Sequence, residues 1–221
     1  MKSNCRSQFR RGCRGSMSSS GPAGVRLVML IVGLMLATPG AYAQARKEMT
    51  VRPWWVGLEL GDGQIKLTSD QFSGTRNPSF ELGFAAGHSL GNRARVGLEV
   101  NGWLLQSFNN NNPAVGESVS NVLGIVDAFP IPKTPLFLRG GAGLALYQNN
   151  RPTGFNSNGW SWMVGVGYEI PLTAHFALAP FVDFAAGSLG DVRNVITVDT
   201  GRRYSVVEFK AAVIWHFGRR M

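Results

Sequence analysis

An alternation of apolar and polar residues, repeated in eight segments, constrains the fold of this chain most strongly. Successive side chains of a β-strand point to opposite faces, so a period of two predicts strands with one apolar and one polar face. The segments cover about residues 54–61, 80–87, 94–104, 119–129, 136–147, 160–170, 176–184 and 206–217. The fourth segment is the least regular and fits either register.

Charged residues occupy only one face of the seven clear segments. They are Glu59, Glu81, Arg95, Glu99, Arg139, Glu169, Asp183, Glu208 and Lys210. A one-residue shift of the last segment would move Glu208 and Lys210 onto the apolar face. If that face meets lipid, a basic residue near mid-bilayer costs about 2–4 kcal/mol, so the register is well specified.

The connections between the segments alternate in length. Four are long and polar (68–78, 106–118, 149–159 and 188–203), and three are short (89–93, 130–135 and 171–175). This pattern predicts an all-β fold, an eight-stranded antiparallel up-and-down transmembrane β-barrel. The alternative is a soluble lipocalin-like barrel, which would reverse the faces and expose Glu99, Arg139, Glu208 and Lys210 to solvent.

Aromatic residues cluster near the segment ends. Aromatic rings collect at both membrane–water interfaces of transmembrane barrels, so the sequence predicts an aromatic girdle. Its members are Trp54, Trp55, Trp103, Trp160, Trp162, Trp215 and Phe217.

The first 43 residues have the pattern of an export signal. An apolar run, Leu27–Ala37, follows Arg26 and precedes Ala41–Ala43, which predicts a signal peptide (residues 1–43, with Met17 as a possible true start) before a barrel domain of residues 44–221. Six of the 22 basic residues and no acidic residue lie in 1–43, so the net charge of +9 falls to +3 after cleavage. Both cysteines, Cys5 and Cys13, also leave, and no nucleic-acid partner is expected.

The last segment carries a family resemblance. Val207–Phe217 alternates apolar residues and ends in an aromatic, and Pro130–Tyr147 is a proline-rich turn before a glycine-rich strand. The mature chain thereby resembles the small outer-membrane β-barrel family, the OmpA/OmpX-like proteins. The resemblance implies an outer-membrane location, contact with membrane lipid, periplasmic termini, and recognition of Phe209, Trp215 and Phe217 by the barrel-insertion machinery. Pro180 departs from a regular strand and predicts a bulge or a strand start.

The function expected from these features is structural or surface-interacting. The nine lumen charges are interpreted as a salt-bridge network, with a narrow, weakly cation-selective channel for ions or small solutes as the alternative. A lipid A-modifying enzyme is a weaker hypothesis, because His88, His175 and His216 fall at the short-connection end. We therefore expect no catalytic, cofactor-binding or metal-binding residues. A surface partner would meet Asn109–Asn112 or Arg151–Gly159, beside Phe108 and Phe155, and its identity is not specified.

Overall fold

The computed structural model describes residues 52–71, 73–105, 117–131, 134–149, 155–193 and 198–218. The predicted signal peptide, Met17 and the segment from Phe108 to Asn112 lie outside these residues. Among the described residues, no helix is long and apolar enough to cross a membrane.

The described chain is built of antiparallel strands. They are β1 (Trp54–Thr68), β2 (Ser73–Ser89), β3 (Ala94–Leu105), β4 (Glu117–Ala128), β5 (Leu136–Asn149), β6 (Phe155–Tyr168), β7 (Ile170–Pro171), β8 (Phe176–Arg193) and β9 (Val198–Phe217). Neighbours in sequence pair from β1 to β6, β1 also pairs with β9, and β9 pairs with β8. Pairing of β6 with β8 closes the sheet into a barrel, so no strand edge is left for lipid to meet.

Pro180 explains why nine strand segments form an eight-stranded barrel. The β6–β8 ladder ends at Gly167↔Phe181, and the β7–β8 ladder resumes in the same register at Ile170↔Leu178. Pro180 lies opposite this break. The pairing is interrupted there because the proline nitrogen has no hydrogen to donate. It pairs with Ala211 on the other side without a register shift. The predicted bulge or strand start at Pro180 is therefore wrong, and β7 continues β6.

The long connections are shorter than the sequence predicted. Only residues 69–72 separate β1 from β2, and β8 and β9 stay paired up to Arg193↔Val198. Backbone hydrogen bonds do not depend on side-chain polarity, so the hairpins extend beyond the apolar band in spite of their polar sequence. Gly190 and Gly201 have φ of +70° and +66°, a backbone conformation that suits the irregular end of this hairpin.

The apolar face of each barrel strand points outward, as the predicted transmembrane barrel requires. Leu98 and Leu144 are 64% and 61% exposed. Exposed apolar side chains also come from the other long strands: Leu58, Phe84, Val126, Val166, Val182 and Val213. This placement of apolar side chains rules out the soluble lipocalin-like alternative, which needs them inside.

The aromatic girdle is only partly where the sequence placed it. Trp54, Trp160 and Trp215 are exposed on the outer face, and Trp162 and Phe217 are partly buried. Trp55 and Trp103 are wrong as girdle members, because their side chains are 1% and 0% exposed. Both follow the inward parity of their strands, and β1 turns two adjacent tryptophans to opposite faces.

The outward register of β3 gives a first prediction. Replacement of Leu98 by Arg puts a charge on the lipid-facing side near the middle of the strand, and we expect it to lower the free energy of unfolding by about 2–4 kcal/mol. Gln148→Arg, on an exposed residue near the end of β5, is the control and should change it by less than about 0.5 kcal/mol. Urea titration of the barrel in lipid vesicles measures both. Equal losses in the two variants would contradict the assigned register.

Candidate functional site: the charged lumen

The nine charged residues singled out in the sequence all face the barrel interior. Eight are buried, and the side chain of Glu169 is 12% exposed. A tenth charged residue, Asp127 of β4, lies among them and is 1% exposed. Sequence reasoning missed Asp127 because β4 carries apolar residues on both faces. The sequence did contain a signal for its position: Asn121 and Asp127 lie on the same face of β4, and both are buried.

Arg95 organises the end of the lumen near the short connections. Its Nε donates to Asp127 Oδ2 at 2.6 Å, and its Nη1 donates to Glu169 Oε2 at 2.7 Å. Its guanidinium also lies 4.9 Å from the ring centroid of Trp55, a cation–π distance. Trp55 fits there because a Cβ on Gly87 or Gly97 would lie within 2.9 Å and 2.8 Å of its ring.

Arg139 connects this end to the middle of the lumen. Its Nε donates to Asp127 Oδ1 at 2.7 Å, so Arg95 and Arg139 share one carboxylate. Its Nη1 donates to Glu59 Oε1 at 2.7 Å and to Glu99 Oε2 at 3.0 Å. One planar guanidinium thus holds side chains of β1, β3 and β4 against β5, a geometry that its fixed fork of donors allows.

Lys210 is surrounded by carboxylates. Its Nζ lies 3.1 Å from Glu81, 3.1 Å from Asp183, 3.2 Å from Glu208, 3.5 Å from Glu99 and 3.9 Å from Glu59, each distance measured to a carboxylate oxygen. Carboxylate oxygens of Glu59, Glu81 and Glu99 lie within 4.8 Å of one another, a spacing that suits a metal ion. The ammonium group of Lys210 already supplies a cation next to all three.

Acidic groups outnumber basic ones in this network. Within the described residues, seven carboxyl groups share three lysine and arginine cations, Arg95, Arg139 and Lys210. Asp183 and Glu208 are direct cross-strand partners, so two acidic side chains face each other inside the barrel. Such like-charge neighbours are unfavourable unless a cation lies between them, and among the described residues Lys210 is the cation in contact with both.

Tryptophan and tyrosine extend the polar contacts towards the long connections. Trp103 Nε1 donates to Glu208 Oε2 at 2.7 Å, and Tyr204 Oη donates to Asn121 Oδ1 at 2.9 Å. Buried apolar side chains fill the space around them, namely Ile65, Val119, Leu123, Tyr147, Leu189 and Val206. The lumen is therefore more apolar than its predicted polar face suggested.

Two phenylalanines pack against the ion pairs of the lumen. Phe137 and Phe181 are buried with centroids 6.0 Å apart, and the Arg139 guanidinium lies 4.9 Å from the Phe181 ring. A Cβ on Gly167 would collide with both side chains, so glycine is required for this packing. Rings and ion pairs together occupy this part of the lumen.

The three histidines lie at the short-connection end, as the sequence suggested, and in separate surroundings. His88 packs edge-on against Trp54, with ring centroids 4.9 Å apart, and His175 Nε2 lies 3.1 Å from the guanidinium of Arg52. His216 Nε2 lies 3.1 Å from Glu169 Oε1. In the part of the chain that the structure describes, no serine or cysteine hydrogen-bonds to a histidine ring.

The network predicts a large cost for removing Lys210. Lys210→Met leaves the opposed Asp183 and Glu208 without their shared cation, and we expect the free energy of unfolding to fall by about 3–5 kcal/mol. The triple variant Lys210→Met, Asp183→Asn, Glu208→Gln removes the acidic pair together with the cation and should recover most of that loss. Urea unfolding in lipid vesicles compares the two. A triple variant as unstable as the single one would contradict the assigned role of Lys210.

Comparisons with known proteins agree with this architecture. No protein-family model matches the chain, and no curated protein sequence matches it. The structure of Neisserial surface protein A matches with a TM-score of 0.51 at 18% identity, over 74% of this chain and 97% of that one. Ail, the attachment invasion locus protein of Yersinia pestis, matches at 10% identity with a TM-score of 0.47, over 73% and 99% of the two chains.

The outer membrane protein OprG from Pseudomonas aeruginosa is a third match, at 10% identity with a TM-score of 0.43, over 78% of this chain and 99% of that one. The fold assignment rests on the match to Neisserial surface protein A together with the closed barrel itself. This chain has the fold of the small, eight-stranded, integral outer-membrane β-barrels.

Proposed function

We propose that the chain is a membrane-anchored barrel that presents its long connections at the cell surface, and that it acts as a structural or surface-interaction protein. The single observation that supports this most is the filled lumen. Phe137, Phe181, Arg139 and Lys210 are all at most 3% exposed and form one chain of contacts inside the barrel. A barrel of eight strands is just wide enough for such side chains, which favours a lumen closed to solute.

The proposed orientation places the short connections in the periplasm. Bacterial barrels have short periplasmic turns and longer extracellular loops. Both ends of the described chain lie at the short-connection end, where Trp54 pairs with Phe217 and Arg52 Nη1 donates to Gly218 O at 3.1 Å. This arrangement supports the proposal that both termini are periplasmic.

Export and insertion are proposed from sequence features near the two ends of the chain. We propose that residues 1–43 are cleaved as a signal peptide. We also propose that the barrel-insertion machinery recognises β9, whose Phe209, Trp215 and Phe217 share the outward parity. The rings of Trp215 and Phe217 lie 5.0 Å apart at the strand end, which makes a continuous aromatic terminus.

We propose that the chain is not an enzyme. The histidine best placed beside an acid, His216, contacts Glu169, and that carboxylate also accepts from Arg95. A hydrolytic triad needs a nucleophile within hydrogen-bond reach of the base. The surroundings of His216 favour a structural contact at the lumen end.

The filled lumen predicts electrical silence. In planar lipid bilayers the unmodified barrel should show no discrete openings at pH 5–8. Phe137→Ala, which leaves a cavity between Arg95 and Arg139, should give a measurable leak, since both guanidinium groups pack on that ring. Phe84→Ala, on the exposed outer face, is the matched control and should stay silent. Stepwise cation-selective openings of the unmodified barrel would favour the channel alternative.

The orientation predicts which residues a reagent can reach from outside the cell. Single cysteines replace Ser73, at the long-connection end, and Gly91, in a short turn, both exposed. A membrane-impermeant maleimide added to intact cells should label the first and not the second. The unmodified chain is the background control, because its two cysteines lie in the proposed signal peptide. Labelling of the Gly91→Cys variant alone would reverse the orientation.

A further inference from the structure

Three basic side chains face outward at the long-connection end of neighbouring strands. Lys66 follows the outward parity of Leu58 and Leu60 on β1, Arg76 follows that of Phe80 on β2, and Arg203 follows that of Val207 on β9. We call these three residues the outer-rim basic cluster. Strands β2, β1 and β9 are adjacent in the barrel, so the three charges lie side by side above the apolar band.

The outer-rim basic cluster has no anionic partner within the described residues. Lys66 and Arg76 are direct cross-strand partners, an arrangement that is unfavourable for like charges. Arg76 donates to the backbone oxygen of Gln64, at 3.2 Å, and none of the three residues makes an ion pair with a described acidic group. Asp62, on the same face of β1, lies closer to the apolar band, opposite Phe80 and Phe209.

A groove on the outer wall begins at Arg203. Its volume is about 370 Å³, and it runs between Arg203 of β9 and the two tryptophans of β6, Trp160 and Trp162. Its floor is formed by small residues of β8, Ala186, Gly187 and Ser188. Large side chains flank small ones, which makes a concave apolar surface on a face that otherwise meets lipid.

We propose that the outer-rim basic cluster and this groove bind one phosphorylated glycolipid of the outer leaflet. Its phosphates contact Arg203, Lys66 and Arg76, and one acyl chain lies along the groove between Trp160 and Ala186. Basic residues at a membrane surface attract anionic headgroups, and tryptophan prefers the interface depth at which headgroup and acyl chain meet. The choice of leaflet rests on the orientation given under the proposed function.

The spacing of the charges favours a headgroup with more than one phosphate. Arg76 and Arg203 are separated by two strand spacings, about 10 Å, with Lys66 between them. Three cations spread over this distance match the charge of two phosphates at opposite ends of a disaccharide better than that of a single phosphate. A glycerophospholipid offers one phosphate and is therefore the comparison ligand.

The test uses the purified barrel in nanodiscs, where binding does not depend on orientation in the cell. Native mass spectrometry counts bound lipid during titration with bis-phosphorylated lipid A, with the same glycolipid after dephosphorylation, and with phosphatidylglycerol. Each charge is worth about 1 kcal/mol, so Arg203→Gln should weaken binding about fivefold, and the triple variant with Lys66→Gln and Arg76→Gln about 100-fold. Arg93→Gln, an exposed basic residue in a short turn, is the matched control and should bind as the unmodified barrel does.

Two results would overturn the proposal. One is equal affinity for the phosphorylated and dephosphorylated glycolipids, and the other is a triple variant that binds as tightly as the Arg93→Gln control. Equal affinity for phosphatidylglycerol would overturn the assignment to a glycolipid. A nanodisc titration with the expected pattern, combined with maleimide labelling that reverses the orientation, would leave the site in place and reject only its leaflet.

Discussion

The ion pairs of Arg139 are the interactions on which the interior of this barrel depends. Arg139 shares Asp127 with Arg95 on one side and shares Glu99 and Glu59 with Lys210 on the other. A continuous chain of hydrogen bonds and ion pairs therefore runs from His216 and Glu169 at one end of the lumen to Glu208 and Trp103 further along. Charges removed from water need such partners, because an unpaired buried charge is very costly.

This network places two demands on the barrel wall. The first is register, because a one-residue shift of β9 would turn Lys210 and Glu208 to the lipid and leave Glu81 and Asp183 unpaired. The second is space, which the wall supplies by glycine at Gly87, Gly97 and Gly167 beneath aromatic rings. The buried side chains that link the barrel strands also occupy the lumen. Stability and closure of the lumen therefore have one physical origin.

The outer surface is divided in a comparable way. Apolar residues cover the band that meets acyl chains, and the outer-rim basic cluster lies beyond it on β1, β2 and β9. Charges that face outward above an apolar wall lie at the depth of lipid headgroups. The lumen therefore pairs its three cations with internal carboxyl groups, whereas the described rim cations depend on what surrounds the barrel.

Alternation alone determined the number of barrel strands and the outward face of each clear strand. It also determined which charged residues, from Glu59 to Lys210, point inward, because a strand offers side chains only two directions. It could not choose a register for β4, where both faces are apolar, so Asp127 was missed. It also could not tell Trp55 and Trp103 from interface tryptophans, since an aromatic ring suits both places. Tertiary structure decided those points, because only the closed barrel brings Asp127 between two arginines, Trp55 onto glycines and Lys210 among five carboxylates.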